Sequence, residues 1–104
     1  MAHHNESGEL VVKPIGQIGK RLIVTDQGVI VKHFGGGTTE ILFAAITSIR
    51  QGFRMPGLGH HHGSRTFAIT PHGGKEIEVG RFFNDDLDRV MVAIEVGRSR
   101  EDAK

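Results

Sequence analysis

Short apolar segments separated by glycine-rich or polar turns run through most of this chain. They read "ELVVKPI" (9–15), "KRLIVTD" (20–26), "VIVKHF" (29–34), "TTEILFAAITSIRQGF" (38–53), "RTFAITP" (65–71) and "KEIEVGRF" (75–82). Short β-rich segments with turn signals at regular spacing are typical of an all-β sandwich or barrel. Since the fourth segment is long and breaks near Ala44 and Ala45, the pattern predicts about seven strands.

The period of the apolar residues changes after the last of these segments. In "NDDLDRVMVAIEVGRSRED" (84–102) they recur at helical spacing, at Leu87, Val90, Met91 and Ile94. Asn84 or Asp85 suits the N-cap position, and Gly97 can end the packed part. The sequence therefore predicts one C-terminal amphipathic helix.

Length and composition indicate one domain. A chain of 104 residues can bury a self-supporting core. We expect a disordered polar tail over 1–8, the folded domain over 9–98, and a polar C-terminal tail over 99–104. No apolar stretch has the length of a secretion signal or a membrane span, so the expected location is the cytoplasm.

Charge and cysteine content exclude several classes of function. Thirteen Lys and Arg against 12 Asp and Glu leave a net charge of +1, which disfavours a nucleic-acid partner. Phe34 and Phe53 lie near basic residues, but phenylalanines in this chain are expected in the core. The absence of cysteine removes disulfides, thiolate zinc sites and cysteine nucleophiles.

Catalytic motifs are not evident. No serine lies in a "G-x-S-x-G" context, and "GGG" (35–37) has no following lysine and helix as a phosphate-binding loop would. We therefore expect neither an enzyme nor a cofactor.

The segment "RLIVTDQGVIVKHFGGGTTEILFAAITSIRQG" (21–52) resembles the bacterial pleckstrin-homology-like (PH-like) and GRAM-like domains. The matching elements are Thr25-Asp26, Gly28-Val29, Ile41-Leu42-Phe43 and Ile46-Thr47-Ser48-Ile49, followed by "FAIT…GGKEIEV" (67–79) and the helix. Over 9–98 the resemblance implies a seven-stranded bent sandwich or barrel capped by the helix. It also implies a non-catalytic interaction domain. An SH3-like barrel with an added helix is the rival fold.

The loop "GFRMPGLGHHHGSR" (52–65) is the longest predicted connection. Long loops on a rigid β scaffold tend to carry binding residues. Its apolar and cationic residues form a candidate contact surface for a protein partner or for self-association: Arg54, Met55, Leu58 and Arg65. This protein-contact or homo-oligomerisation role is the favoured hypothesis, with exposed strand edges as a further contact surface.

The same loop also offers imidazoles for a metal ion. His60, His61 and His62 are consecutive, and His72 sits in the next connection. Adjacent side chains in an extended segment point to opposite sides, which disfavours their convergence on one ion. A solvated loop and a metal site both remain open.

The runner-up to the protein-contact hypothesis, ahead of metal binding, is peripheral binding to an anionic membrane surface. Phosphoinositide-binding PH domains use a basic cluster around their first hairpin, and this chain has Lys13, Lys20 and Arg21 there. The family's "Lys/Arg-x-Arg" continuation is not reproduced, because Leu22 follows Arg21 and no further arginine stands in register.

Overall fold

The computed structural model of this chain describes residues 2–5, 8–53 and 63–103. The strands are β1 (Ala2–His4), β2 (Leu10–Val12), β3 (Arg21–Val24), β4 (Gly28–Lys32), β5 (Thr38–Leu42), β6 (Ile46–Gln51), β7 (Ser64–Pro71) and β8 (Ile77–Phe83). A 3₁₀ turn (Phe43–Ala45) joins β5 to β6, and helix α1 (Asn84–Asp102) follows β8 directly. The prediction of a mainly β protein with one C-terminal helix is confirmed.

The strands form two antiparallel sheets in which spatial order follows chain order. The first sheet has the order β1-β2-β3-β4-β5 and the second β6-β7-β8. Within the described residues the sheets remain separate and do not close into a barrel. One backbone bond nevertheless ties the connection after β2 to the second sheet, since the Ile15 amide donates to the Arg81 carbonyl at 2.7 Å.

The turn between β3 and β4 shows how local chemistry sets this pattern. The Thr25 hydroxyl accepts hydrogen bonds from the amides of Gln27 and Gly28, both at 3.1 Å. A Cβ atom at Gly28 would lie 2.2 Å from the Ile41 carbonyl oxygen of β5. Glycine is therefore required where β5 passes the hairpin.

Both sheets and the inner face of α1 contribute to one core. Its largest fully buried side chains are Phe67, Phe82, Leu22, Ile69, Leu87 and Ile94. Phe67 and Phe82 pack edge to face, with ring centroids 6.3 Å apart. The predicted helical stripe lies here, because Leu87, Val90 and Ile94 are all buried.

The N-terminal region differs from the predicted tail over 1–8. Residues 2–4 form β1, which pairs with β2 from Ala2↔Val12 to His4↔Leu10. The Ala2 amide also donates to Asp86 Oδ1 of α1 at 3.2 Å. The free edge of β2 thus recruits a segment whose own sequence has little strand character.

The bounds of α1 agree with the predicted segment 84–102, but its N-cap differs from expectation. The N-cap residue is Phe83, without a side-chain cap bond, and Asn84 is a buried first helical residue. At the other end the helix continues to Asp102, the last residue of the predicted helical segment 84–102, and so includes residues 99–102 of the predicted polar tail. Within the described residues no helix is sufficiently long and apolar to cross a bilayer.

Candidate functional site

Two cations face each other at one end of the β3–β4 hairpin. Arg21, the first residue of β3, is in register with Lys32, the last residue of β4. Both side chains are exposed. Like charges directly opposite each other across two strands destabilise a sheet, so the fold gains nothing from this pairing. An anion bound between the two residues would remove the repulsion.

A cavity of about 320 Å³ lies beside this pair. Its lining consists of Arg21, Lys32, His33, Thr38 and the glycines Gly19, Gly35, Gly36 and Gly37. We refer to these eight residues as the basic end. No carboxylate side chain belongs to its described lining, so the local charge is cationic even though the whole chain is almost neutral.

The turn after β4 gives the basic end its open backbone. The His33 amide donates to the Gly37 carbonyl at 2.7 Å, which closes the turn, and His33 Nε2 lies 2.9 Å from Thr39 Oγ1. Gly35 and Gly36 have φ values of 91° and 100°, a conformation that favours glycine. Side chains are thus absent where a ligand could approach the backbone.

Two exposed apolar residues adjoin members of the basic end in the sequence, since Ile18 precedes Gly19 and Phe34 follows His33. Ile18 is 89% exposed and Phe34 is 81% exposed. The Phe34 ring lies over the neighbouring loop, since a Cβ atom at Gly19 would be 3.0 Å from Phe34 Cδ2. The expectation of core positions for Phe34 and Phe53 is therefore wrong, because both are exposed.

Only one of the three predicted lipid-binding residues lines the cavity. Arg21 lines the cavity, whereas Lys13 and Lys20 do not. Sequence reasoning missed Lys32 and His33 as members of this site. The strand register could have indicated them, because a hairpin turning at 25–28 brings the end of β4 back to the start of β3.

The predicted protein-contact loop lies mostly outside the described residues, and this holds for Arg54, Met55 and Leu58. Arg65 is described, but on strand β7 and buried. Its guanidinium donates to Asp88 Oδ1 and, at 3.3 Å, to the Asn84 carbonyl of α1. Arg65 thus joins the second sheet to the helix and does not present an exposed cation.

Only one of the four histidines proposed as metal ligands lies within the described residues. His60, His61 and His62 lie outside the described residues, and His72 is exposed on the β7–β8 turn. In the described part of the chain no three His, Asp or Glu side chains gather in an arrangement that could hold a metal ion.

A second charged feature links β6 to the connection before β8. Arg50 donates two hydrogen bonds to Glu76, from Nε at 2.9 Å and from Nη2 at 2.6 Å. These bonds hold the pKa of Glu76 below its ordinary value and raise that of Arg50. The pair is exposed and its charges cancel, so it adds no cationic surface.

Comparisons with protein-family models, with curated proteins and with solved structures found no match to this chain. The geometry of the described residues is therefore the basis for assigning a function.

Proposed function

We propose that this protein is a non-catalytic, PH-like binding module that attaches to anionic membrane surfaces through its basic end. The observation that carries the proposal is the opposed pair Arg21 and Lys32 beside a glycine-lined cavity. Guanidinium and ammonium groups, together with accessible backbone amides, are the usual protein ligands of phosphate. The two antiparallel sheets and the C-terminal helix are compatible with a PH-like architecture.

The exposed apolar pair favours a lipid surface over a free anion. Ile18 and Phe34 are exposed, and both adjoin Gly19 of the basic end, Ile18 along the chain and Phe34 through its ring. At a membrane interface such side chains enter the boundary between headgroups and acyl chains while nearby Lys and Arg contact anionic lipids. A site for a small soluble anion would need the cations but not these two residues.

Vesicle co-sedimentation tests the proposal. The protein should bind phosphatidylcholine vesicles that contain phosphatidylserine and remain free with phosphatidylcholine alone. Since each basic residue near an anionic surface contributes about 1 kcal/mol, the double variant Arg21→Ala, Lys32→Ala should weaken partitioning about 30-fold. Lys75→Ala, Arg98→Ala is the matched control, because it removes two exposed cations outside the cavity.

A second pair of measurements separates the two sources of the anion. Ile18→Ser, Phe34→Ser should weaken vesicle binding and leave binding of inorganic phosphate, followed by amide chemical shifts, unchanged. Equal vesicle binding by the cation variant and its control would refute the proposal. Phosphate binding without vesicle binding would limit it to a soluble anion. Protein contact through the 52–65 loop stays a prediction.

A further inference from the structure

His33 is the member of the basic end whose charge can change near neutral pH. It lines the cavity together with Arg21 and Lys32, and the residue is half-buried. Between about pH 8 and about pH 5 an imidazole passes from neutral to cationic, whereas guanidinium and ammonium groups stay cationic throughout. The cavity lining therefore gains a third cation, beside Arg21 and Lys32, when His33 takes up a proton.

The imidazole can gain this proton without a rearrangement of the turn. Its Nε2 atom lies 2.9 Å from Thr39 Oγ1. A threonine hydroxyl donates to a neutral ring nitrogen and accepts from a protonated one, so this contact suits both charge states. Among the described residues Nδ1 has no hydrogen-bond partner. Since both ring nitrogens of an imidazolium carry a hydrogen, Nδ1 is then a donor for a bound anion.

The charges nearest to His33 on β3 and β4 are positive. Lys32 precedes it in the chain, and the register that pairs Arg21 with Lys32, continued by one residue, brings Lys20 opposite His33. Glu40 is the carboxylate of β5, but it follows the residue that contacts His33, so its side chain leaves the sheet on the opposite face. It does not line the cavity. Neighbouring cations thus oppose protonation of His33 in the empty site, and a bound anion favours it.

We propose, on the basis of the membrane function proposed above, that His33 couples proton uptake to anion binding, so that attachment of the basic end to anionic membranes strengthens as the pH falls. Such coupling is reciprocal: a bound anion stabilises the imidazolium, and the imidazolium stabilises the bound anion. A third cation at the surface contributes as a basic residue does. The share of His33 in the change between about pH 8 and about pH 5 is therefore about fivefold in partitioning.

Vesicle co-sedimentation at these two pH values tests the coupling. The vesicles contain phosphatidylcholine and phosphatidylglycerol, whose phosphodiester charge is constant over this range. His33→Gln retains a hydrogen-bonding side chain but cannot be protonated, so its binding should rise about fivefold less than that of the natural protein when the pH is lowered. His33→Lys carries a permanent cation. It should bind about fivefold more tightly than the natural protein at the higher pH and equally at the lower one.

His72→Gln is the matched control for these variants. His72 is an exposed histidine on the β7–β8 turn and does not line the cavity, so its replacement should leave the natural pH response unchanged. An equal response of His33→Gln and His72→Gln would overturn the coupling and leave the membrane function in place.

A measurement without lipid separates the coupling from the membrane function. Inorganic sulfate keeps its charge over the same range, and its binding is followed at both pH values by the amide chemical shifts of Gly35 and Gly36. Sulfate should bind more tightly at the lower pH, and His33→Gln should abolish this difference. A His33-dependent response to sulfate without vesicle binding would support the coupling and overturn the membrane function. Binding of neither sulfate nor vesicles would overturn both.

Discussion

Replacing Gly97 of α1 with alanine should destabilise the protein, although helix propensity alone predicts that it would stabilise it. A Cβ atom at this position would lie 2.2 Å from both Cε2 and Cζ of Phe43. Phe43 belongs to the 3₁₀ turn between the sheets and is buried. Gly97→Ala therefore requires the buried ring or the helix to move by more than 1 Å to regain an ordinary contact distance of 3.4–4 Å.

The expected magnitude follows from two opposing terms. Alanine is favoured over glycine within a helix by about 1 kcal/mol. Overpacking a well-filled core typically costs about 1–3 kcal/mol. We expect a net loss of about 1 kcal/mol in the free energy of unfolding, which lowers Tm by roughly 4–8 °C in a domain of this size.

Urea unfolding followed by far-ultraviolet circular dichroism is the suitable assay, because the chain lacks tryptophan and tyrosine for fluorescence. Ser99→Ala is the matched control, since Ser99 is exposed on the same helix and should gain from propensity alone. Adding Phe43→Leu to Gly97→Ala should relieve the overlap, so the double variant loses less than the sum of the single losses. A Gly97→Ala protein as stable as the natural one would refute this account.

The remaining predictions concern the ion pairs Arg65–Asp88 and Arg50–Glu76. Asp88→Ala should cost about 1–3 kcal/mol in urea unfolding, because it leaves the buried Arg65 cation without its carboxylate. Arg65→Met should cost less, since it removes the buried charge itself; the reverse order would contradict this interpretation. Because the Arg50 hydrogen bonds lower the pKa of Glu76, this pair stabilises the fold above the ordinary pKa of 4.5 and loses its effect as pH falls through the folded value. The Tm difference between the natural protein and Glu76→Gln should therefore be small at neutral pH, shrink in high salt and vanish in acid. A difference that persists in acid would point to another cause.

Most of the strand order could be predicted because alternation and turn residues are local signals. The seven predicted strands correspond to β2–β8, and the corner predicted near Ala44 and Ala45 is the 3₁₀ turn. Strand β1 could not be predicted, because its pairing depends on the free edge of β2. Asn84 likewise does not cap the helix, because β8 runs directly into α1 and Phe83 takes the N-cap position.

Functional residues were harder to predict because their positions depend on contacts distant in sequence. Arg21 could be singled out from its place near the first predicted turn, but Lys32 becomes its neighbour only through the strand register. Arg65 resembles a contact residue in the sequence, because it is a cation at the end of the longest predicted loop. Its buried position depends on its partner Asp88, which lies 23 positions further along the chain. The exposure of Phe34 depends on the glycine turn, which carries its ring out over Gly19.

In both sheets each strand pairs only with strands that are its neighbours in sequence, and this favours folding of the hairpins before the helix. Every ladder in both sheets closes a loop between consecutive strands, so its entropic cost is small. Contacts of α1 are different, since the bond from Ala2 to Asp86 spans 84 positions. Since these ladders close shorter loops than the contacts between α1 and β1 do, we expect the hairpins to form before α1 docks. A ribosome-bound chain would complete its first sheet before the helix that covers the core has been synthesised.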